Sequence, residues 1–252
     1  MNSSGIIDYG LRKSEMEMEK EKLTQYSEHQ SGANPDEMFC LKNADLAWEE
    51  ISREQIVSDE WIEFRKSVFR YPDGRVFEPY YTYSRKDYVV IVATDEEGRF
   101  LCVRQYRQGI MDVTTEFTAG GIEVKDKDGK VMTSDSDSDM TGSVVKPGVR
   151  RTDHPSVEWA LAAAKRELAE ETGYESDEWK HLLTIPSNAT MADNWAYLFT
   201  AKNCRKVTEQ SLDETEYLGV ELLSADDIEK LIAGGGFQQA IHCLAWELAK
   251  KM

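Results

Sequence analysis

The amino-acid sequence predicts an α+β fold, a mixed α and β sandwich, on three observations. Apolar and polar residues alternate in paired runs between Trp61 and Gln105. Apolar residues recur at helical spacing between Ser156 and Thr172. Further strand-like runs and two helical segments then follow up to residue 250.

The first 40 residues are polar and of mixed charge. Within them Ser14 to Tyr26 has the charge pattern of a helix but no broad apolar stripe, which fits a tail that is mobile or packed on a partner. Trp48 to Ile56 reads as a short connecting segment. From Trp61, the residues Ile62, Phe64 and Val68 alternate with Glu63, Arg65 and Ser67, the period-two pattern of a half-buried strand. Tyr71-Pro72-Asp73-Gly74 forms a turn, and Val76 to Tyr83 is the return strand of a hairpin over 61–84. Tyr88 to Thr94 is a β-branched run that Asp95-Glu96-Glu97-Gly98 turns into Phe100 to Gln105, a second hairpin.

Residues 124–156 carry an acidic low-complexity tract from Thr133 to Gly142. Asp135, Asp137 and Asp139 have the spacing of a calcium loop. Met140, however, stands where that loop needs glycine, and Lys146 where it needs a bidentate glutamate, so the tract reads as a solvated insertion. A helix spans Ser156 to Thr172, and strands follow at Trp195 to Ala201 and Tyr217 to Leu223. Ser224 opens a helix with Asp227 in a capping-box position. Residues 237–250 form an amphipathic helix with Ile241, Leu244, Ala245 and Leu248 on one face.

Composition narrows the function. The chain has 252 residues, 40% of them hydrophobic, enough for a packed core. A formal net charge of −17 argues against nucleic acid or an anionic membrane as partner, because both are bound through Lys and Arg. A small phosphorylated ligand stays compatible if a divalent cation stands between it and the protein. Cys40, Cys102, Cys204 and Cys243 form no Cys-X-X-Cys pair, which fits a reduced, cytoplasmic protein. His29, His154, His181 and His242 are scattered, which argues against zinc. No apolar run marks a signal peptide, and no stretch of about eighteen apolar residues marks a membrane span.

The helix around 158–172 holds the chemistry. Leu161, Ala164 and Leu168 should face the core, while Glu167, Glu170 and Glu171, three and four residues apart, share another face. Carboxylates that close repel and take up protons unless a cation lies between them. Hard oxygen donors in such a cluster suit magnesium or manganese. Gly173 suits the left-handed C-terminal position.

The string Arg166-Glu167-Leu168-Ala169-Glu170-Glu171-Thr172-Gly173-Tyr174 resembles the core of the Nudix box, Arg-Glu-U-X-Glu-Glu-X-Gly-U, in which U is aliphatic or aromatic. Glu158 matches the glutamate that the box carries eight positions before its arginine. Position 152, where the box opens with glycine, is Thr152. Upstream, Glu116-Phe117-Thr118-Ala119-Gly120-Gly121-Ile122-Glu123 resembles the Glu-X-Pro-Ala-Gly segment of ADP-ribose pyrophosphatase-like members, with Thr118 in place of proline. On this resemblance Gly120 is the box glycine, and the acidic insertion separates its loop from the helix. Val103-Arg104-Gln105-Tyr106-Arg107 resembles the strand ending in Gln-Tyr-Arg that precedes the box in the same subfamily. Pro186 to Asn194 stands where ADP-ribose-specific members carry Ser-Pro-Gly. Leu212-Asp213-Glu214-Thr215-Glu216-Tyr217 resembles the acidic loop that supplies a catalytic base.

The resemblance covers about residues 45–250 and implies a Nudix-type α/β/α sandwich with a mixed β-sheet plus an N-terminal antiparallel β segment. It divides the chain into a polar tail at 1–44, a dimer-forming β segment at 45–84 and a hydrolase domain at 85–252 that contains the insertion at about 124–156. The implied reaction is magnesium-dependent hydrolysis of the diphosphate of an ADP-ribose-like or other nucleoside diphosphate sugar, with manganese as a substitute ion and a homodimer as the assembly. Glu167, Glu171 and the Ala119 carbonyl are the implied metal ligands, with Glu170 as a third ligand or an orienting, catalytic group. Glu214 or Glu216 is the implied base. Arg107 would hold a phosphate or make a structural ion pair. Glu116 would bond substrate or hold the loop, beside Gly120. Arg166 would pair with Glu158 or Glu170 and fix the helix. Two alternatives share this motif: a nucleoside triphosphate pyrophosphohydrolase, and a non-catalytic ligand-sensing module.

Overall fold

The computed structural model describes residues 41–59, 61–125, 131–132, 154–214 and 216–251. The tail 1–40, with Ser14 to Tyr26 and Cys40, lies outside these residues, as does most of the acidic insertion, including Asp135, Asp137 and Asp139. In chain order the elements are α1 (Asn43–Leu46), β1 (Glu49–Ser58), β2 (Glu63–Arg70), β3 (Val76–Ser84), β4 (Tyr88–Asp95), β5 (Phe100–Arg107), β6 (Asp112–Gly121), β7 (Val124–Lys125), β8 (Val131–Met132), α2 (Val157–Thr172), β9 (Tyr174–Glu175), β10 (Glu178–Pro186), β11 (Trp195–Lys206), β12 (Leu218–Leu223), α3 (Ala225–Ala233) and α4 (Ala240–Ala249). No helix among the described residues is long and apolar enough to cross a membrane.

The described residues fall into two compact units, one made of 41–49 and Arg70–Val76, the other of Glu50–Phe69 and the residues from Phe77 onward. In the first, the Tyr71 to Gly74 turn forms as its sequence predicts. The Gly74 N–H donates to the Tyr71 carbonyl at 3.0 Å, and Gly74 takes φ +87°. Arg75 lies over the Tyr71 ring, and Trp48 packs against the same ring at 4.1 Å.

In the second unit, β1, β2 and β3 line up in that order in one sheet. Residues 49–58 are thus a strand rather than the connecting segment expected at Trp48 to Ile56. All ten are exposed or half-buried, so no buried face imposed an alternation to read. Polar links hold β1 to β2: Ser67 Oγ donates to Glu50 at 2.6 Å, and Lys66 pairs with Glu54.

The larger sheet has the order β10-β11-β4-β6-β5-β12, with β9 on β11. β11 and β4 run parallel, and the remaining pairs are antiparallel, so the sheet is mixed. The expected hairpin of β4 and β5 exists only at its turn, where Ala93 faces Leu101 and Thr94 faces Phe100. Beyond that point β6 enters between them, pairing Ile91 with Thr118 on one side and Val103 with Glu116 on the other. The segment expected as a loop at Glu116 to Glu123 is therefore, up to Gly121, a central strand. Its buried residues include Thr114, Thr115, Glu116 and Thr118, and polar residues in a core leave no hydrophobic signal. Edge strand β10 was hidden because its residues are only exposed or half-buried.

Each face of the sheet carries a core. On one, Ala160, Ala163, Ala164 and Leu168 of α2 pack on Val89, Ile91, Leu101 and Phe199. On the other, Ile228 of α3 and Ala245 and Trp246 of α4 pack on Val90, Val92, Phe117 and Leu198. Ile241, Leu244 and Leu248 join this second core as the amphipathic pattern predicts. The Ser224 and Asp227 capping box forms as expected at the start of α3.

Candidate functional site

Helix α2 positions two glutamates by its register. Ser156 caps its start, accepting from the Trp159 N–H at 3.3 Å. Its small apolar face presses on the sheet, and Glu167 and Glu171, one turn apart, are carried toward β6 with 6% and 2% exposure. Gly173 ends the helix in the left-handed conformation at φ +76°. Its carbonyl accepts from the Val207 N–H at 2.9 Å and the Thr208 N–H at 3.2 Å. The Ser211 N–H donates to the Glu170 carbonyl at 2.9 Å, and Gln210 Nε2 donates to the Glu171 carbonyl at 2.7 Å. These bonds lay the segment after β11 along the helix end, and Glu216 arrives beside the two helix glutamates.

Ligand oxygens of Glu167, Glu171 and Glu216 all lie within 4.8 Å of one another. The Ala119 N–H of β6 donates to Glu171 Oε2 at 3.3 Å. A β-carbon added at Gly120 would fall inside 3.0 Å of the Glu167 carboxylate, so the absent side chain is the space that the carboxylate fills. Arg166 donates to Glu167 Oε1 at 2.6 Å, to the Gly121 carbonyl at 3.1 Å and to Glu170.

Burial pushes the Glu167 carboxyl up to about 7, opposed by Arg166 and assisted by the charges of Glu170 and Glu216. Burial, and then the Glu167 and Glu216 charges, push Glu171 well above the usual carboxylate range, against the Ala119 N–H. A divalent cation reverses that balance, and the donor set fits one. The donors are hard oxygens, and opposite ligands of a magnesium-sized ion stand about 4.2 Å apart, twice its bond length. Glu167, Glu171 and Glu216 are the residues that could hold it.

The other expected residues are placed as follows. Glu170 stands outside the cluster, tied to Arg166. Glu158 is exposed in the first turn of α2, two turns from Arg166, whose carboxylate partners are Glu167 and Glu170. Glu214 is exposed and outside the cluster, whereas Glu216 is half-buried within it. Glu116 has no exposed surface, and accepts from Arg107 Nε at 2.8 Å and from Thr114 Oγ1 at 3.2 Å. It thus holds Arg107 rather than reaching into solvent, and Arg107 keeps one-third of its side chain exposed. Gly120 acts through the space it leaves for Glu167. Sequence reasoning missed Gln210 and Ser211, which dock the acidic loop; nothing in their local pattern marks that role.

No protein-family model matches the chain. It is 25% identical over 178 residues to the methanol dehydrogenase activator of Bacillus methanolicus, covering 70% of this chain and 78% of that protein. It is 23% identical over 183 residues to the ADP-ribose pyrophosphatase of Bacillus subtilis (strain 168), covering 72% of this chain and 81% of that protein. Among solved structures, an ADP compounds hydrolase shares the fold with a TM-score of 0.58 at 15% sequence identity, over 81% of this chain and 92% of that one. With the glutamate pattern of α2, these similarities support the Nudix superfamily.

Proposed function

We propose that this chain hydrolyses the diphosphate bond of an ADP-ribose-like or other nucleoside diphosphate sugar in a magnesium-dependent reaction that yields two monophosphates. The observation that carries this reading is the convergence of Glu167, Glu171 and Glu216 on one point beside β6. The names of the relative in Bacillus subtilis and of the solved ADP compounds hydrolase support the substrate class. A bound Mg2+, or Mn2+ in its place, offsets charge on the phosphate oxygens and lowers the pKa of a water.

The chain's own residues do the rest. Glu167 and Glu171 hold the ion, with the Ala119 backbone beside them. Glu216 accepts the proton as the water oxygen bonds to one phosphorus; the bridging P–O bond breaks and the oxygen leaves with the other phosphate. Arg107, held at Nε by Glu116, offers its guanidinium to a substrate phosphate. Residues 85–252 carry this activity. Segment 45–84 pairs two copies into a homodimer, a reading supported by exposed Ile51, Ile56, Phe77 and Tyr81 on its strands. The free thiols of Cys102, Cys204 and Cys243 fit a cytoplasmic protein.

The test is a panel of ADP-ribose, other nucleotide sugars, dinucleotides and triphosphates, assayed with magnesium and then with excess chelator. Release of two monophosphates that chelation stops is the expected result. Turnover of triphosphates alone would establish the pyrophosphohydrolase alternative, and binding without turnover the sensing module. The similarity to a dehydrogenase activator favours a second reading, in which the chain controls a partner enzyme; assaying a dehydrogenase with and without it tests that.

A further inference from the structure

Two buried oxygens beside the cluster have no hydrogen-bond partner among the described residues: Glu116 Oε2 and Thr118 Oγ1. Both residues have 0% exposure. The register of β6 is unbroken here, with Val103 opposite Glu116, Cys102 opposite Phe117 and Ile91 opposite Thr118. Glu116 and Thr118 therefore project to the same face of the sheet, the face on which Gly120 meets Glu167. The other oxygen of Glu116 is already engaged by Arg107 and Thr114.

An unmade hydrogen bond costs about 1–3 kcal/mol for each buried polar group. A buried water supplies the missing bonds where polar atoms converge. Residues two apart on a strand stand about 6.6 Å apart along it. A water bonded to two oxygens spans up to about 5.6 Å, so side chains that lean slightly together bring the pair into reach. We infer that Glu116 Oε2 and Thr118 Oγ1 form an internal site for one water molecule, and that this site makes Thr118 a positioning residue for Glu171.

The link runs from Arg107 through Glu116 and the water to Thr118. The next backbone N–H, that of Ala119, donates to Glu171 Oε2. The carboxyl oxygen Oε2 of Glu116 can accept from the water, and the threonine hydroxyl, which both donates and accepts, completes the water's bonds. Valine has the shape of threonine without the hydroxyl; serine keeps the hydroxyl without the methyl. The inference rests on the reading of Glu171 as a cation ligand.

Titration of the full chain with Mn2+, followed by calorimetry, tests it. Thr118→Val should weaken Mn2+ binding about tenfold, the lower end of what loss of a group supporting a ligand costs. Thr118→Ser should restore it to nearly the parental value. Equal affinity in Thr118→Val and the parent overturns this inference alone, as does Thr118→Ser binding as weakly as Thr118→Val. A parent chain that binds no Mn2+ removes the proposed function and this inference together. A high-resolution crystal structure of the unaltered chain gives a second readout that needs no variant. It should show a water within hydrogen-bond distance of both oxygens, and protein partners on both in its place would overturn the inference.

Discussion

Gly120 of β6 and the Glu167 carboxylate of α2 compete for one space: a β-carbon on the glycine would stand inside 3.0 Å of the carboxylate carbon and both its oxygens. The backbone of a central strand is thus the floor on which this glutamate lies. In Gly120→Ala the flexible end of Glu167 must give way, since the Gly120 backbone is held by its pairing with Val89 of β4. Displacement of about 1 Å at a reacting centre costs on the order of 100-fold. Gly120→Ala should therefore lower kcat/KM by about that factor, with a melting temperature within a few degrees of the parent. Steady-state kinetics and a thermal melt check both halves.

Glu214 and Glu216 are two residues apart in one acidic loop, yet only Glu216 joins Glu167 and Glu171. Removal of a general base costs roughly 10²–10⁴-fold. Glu216→Gln should fall in that range, while Glu214→Gln should stay within about twofold of the parent. Matched losses in the two variants, measured on the best substrate of the panel, would contradict the placement of this loop.

Glu167 binds its proton up to about pH 7 in the folded chain, against an ordinary value of 4.5. A cation needs the deprotonated form, so affinity for Mn2+ should fall as pH drops through 7, and binding should release protons. Calorimetry in two buffers of different ionisation enthalpy counts them. In chelator the sign for stability is opposite. Between pH 4.5 and 7 the native state holds more protons than the unfolded state, so this group's contribution declines as pH rises through that window. Divalent cation should restore the stability lost at the upper end.

His242 of α4 works against this trend. Its Nδ1 accepts from the Phe117 N–H at 3.1 Å, and full burial pushes the imidazole down to about 3 from 6.5. The unfolded chain takes up a proton there first, so stability from this residue is complete above pH 6.5 and is lost as pH falls toward 3. The slope is at most about 1.4 kcal/mol per pH unit. His242→Asn keeps an acceptor but has no proton to gain. Urea titrations across pH should show a flatter acid limb for the variant, whatever its absolute stability; parallel limbs would refute the assignment.

What the sequence determined by itself is the chemistry of α2. Helical spacing alone puts Glu167 and Glu171 one turn apart, and Gly173 alone suits the left-handed end that stops the helix. Periodicity likewise predicted β2 and α4, because each pairs an apolar face with a polar one. The turn at Tyr71 to Gly74 marked β3 as its return strand, and the Ser224 and Asp227 capping box marked the start of α3. Tertiary structure decided which third carboxylate completes the cluster, since bonds from Val207, Thr208, Gln210 and Ser211 to the end of α2 deliver Glu216 and leave Glu214 in solvent. It also decided that β6 is a central strand. Thr114, Glu116 and Thr118 are polar yet buried in the sheet, and buried polar residues carry no apolar pattern along the chain. Local periodicity records which face of an element meets the core; long-range hydrogen bonds and charge pairing, which join residues far apart in sequence, decide which elements meet.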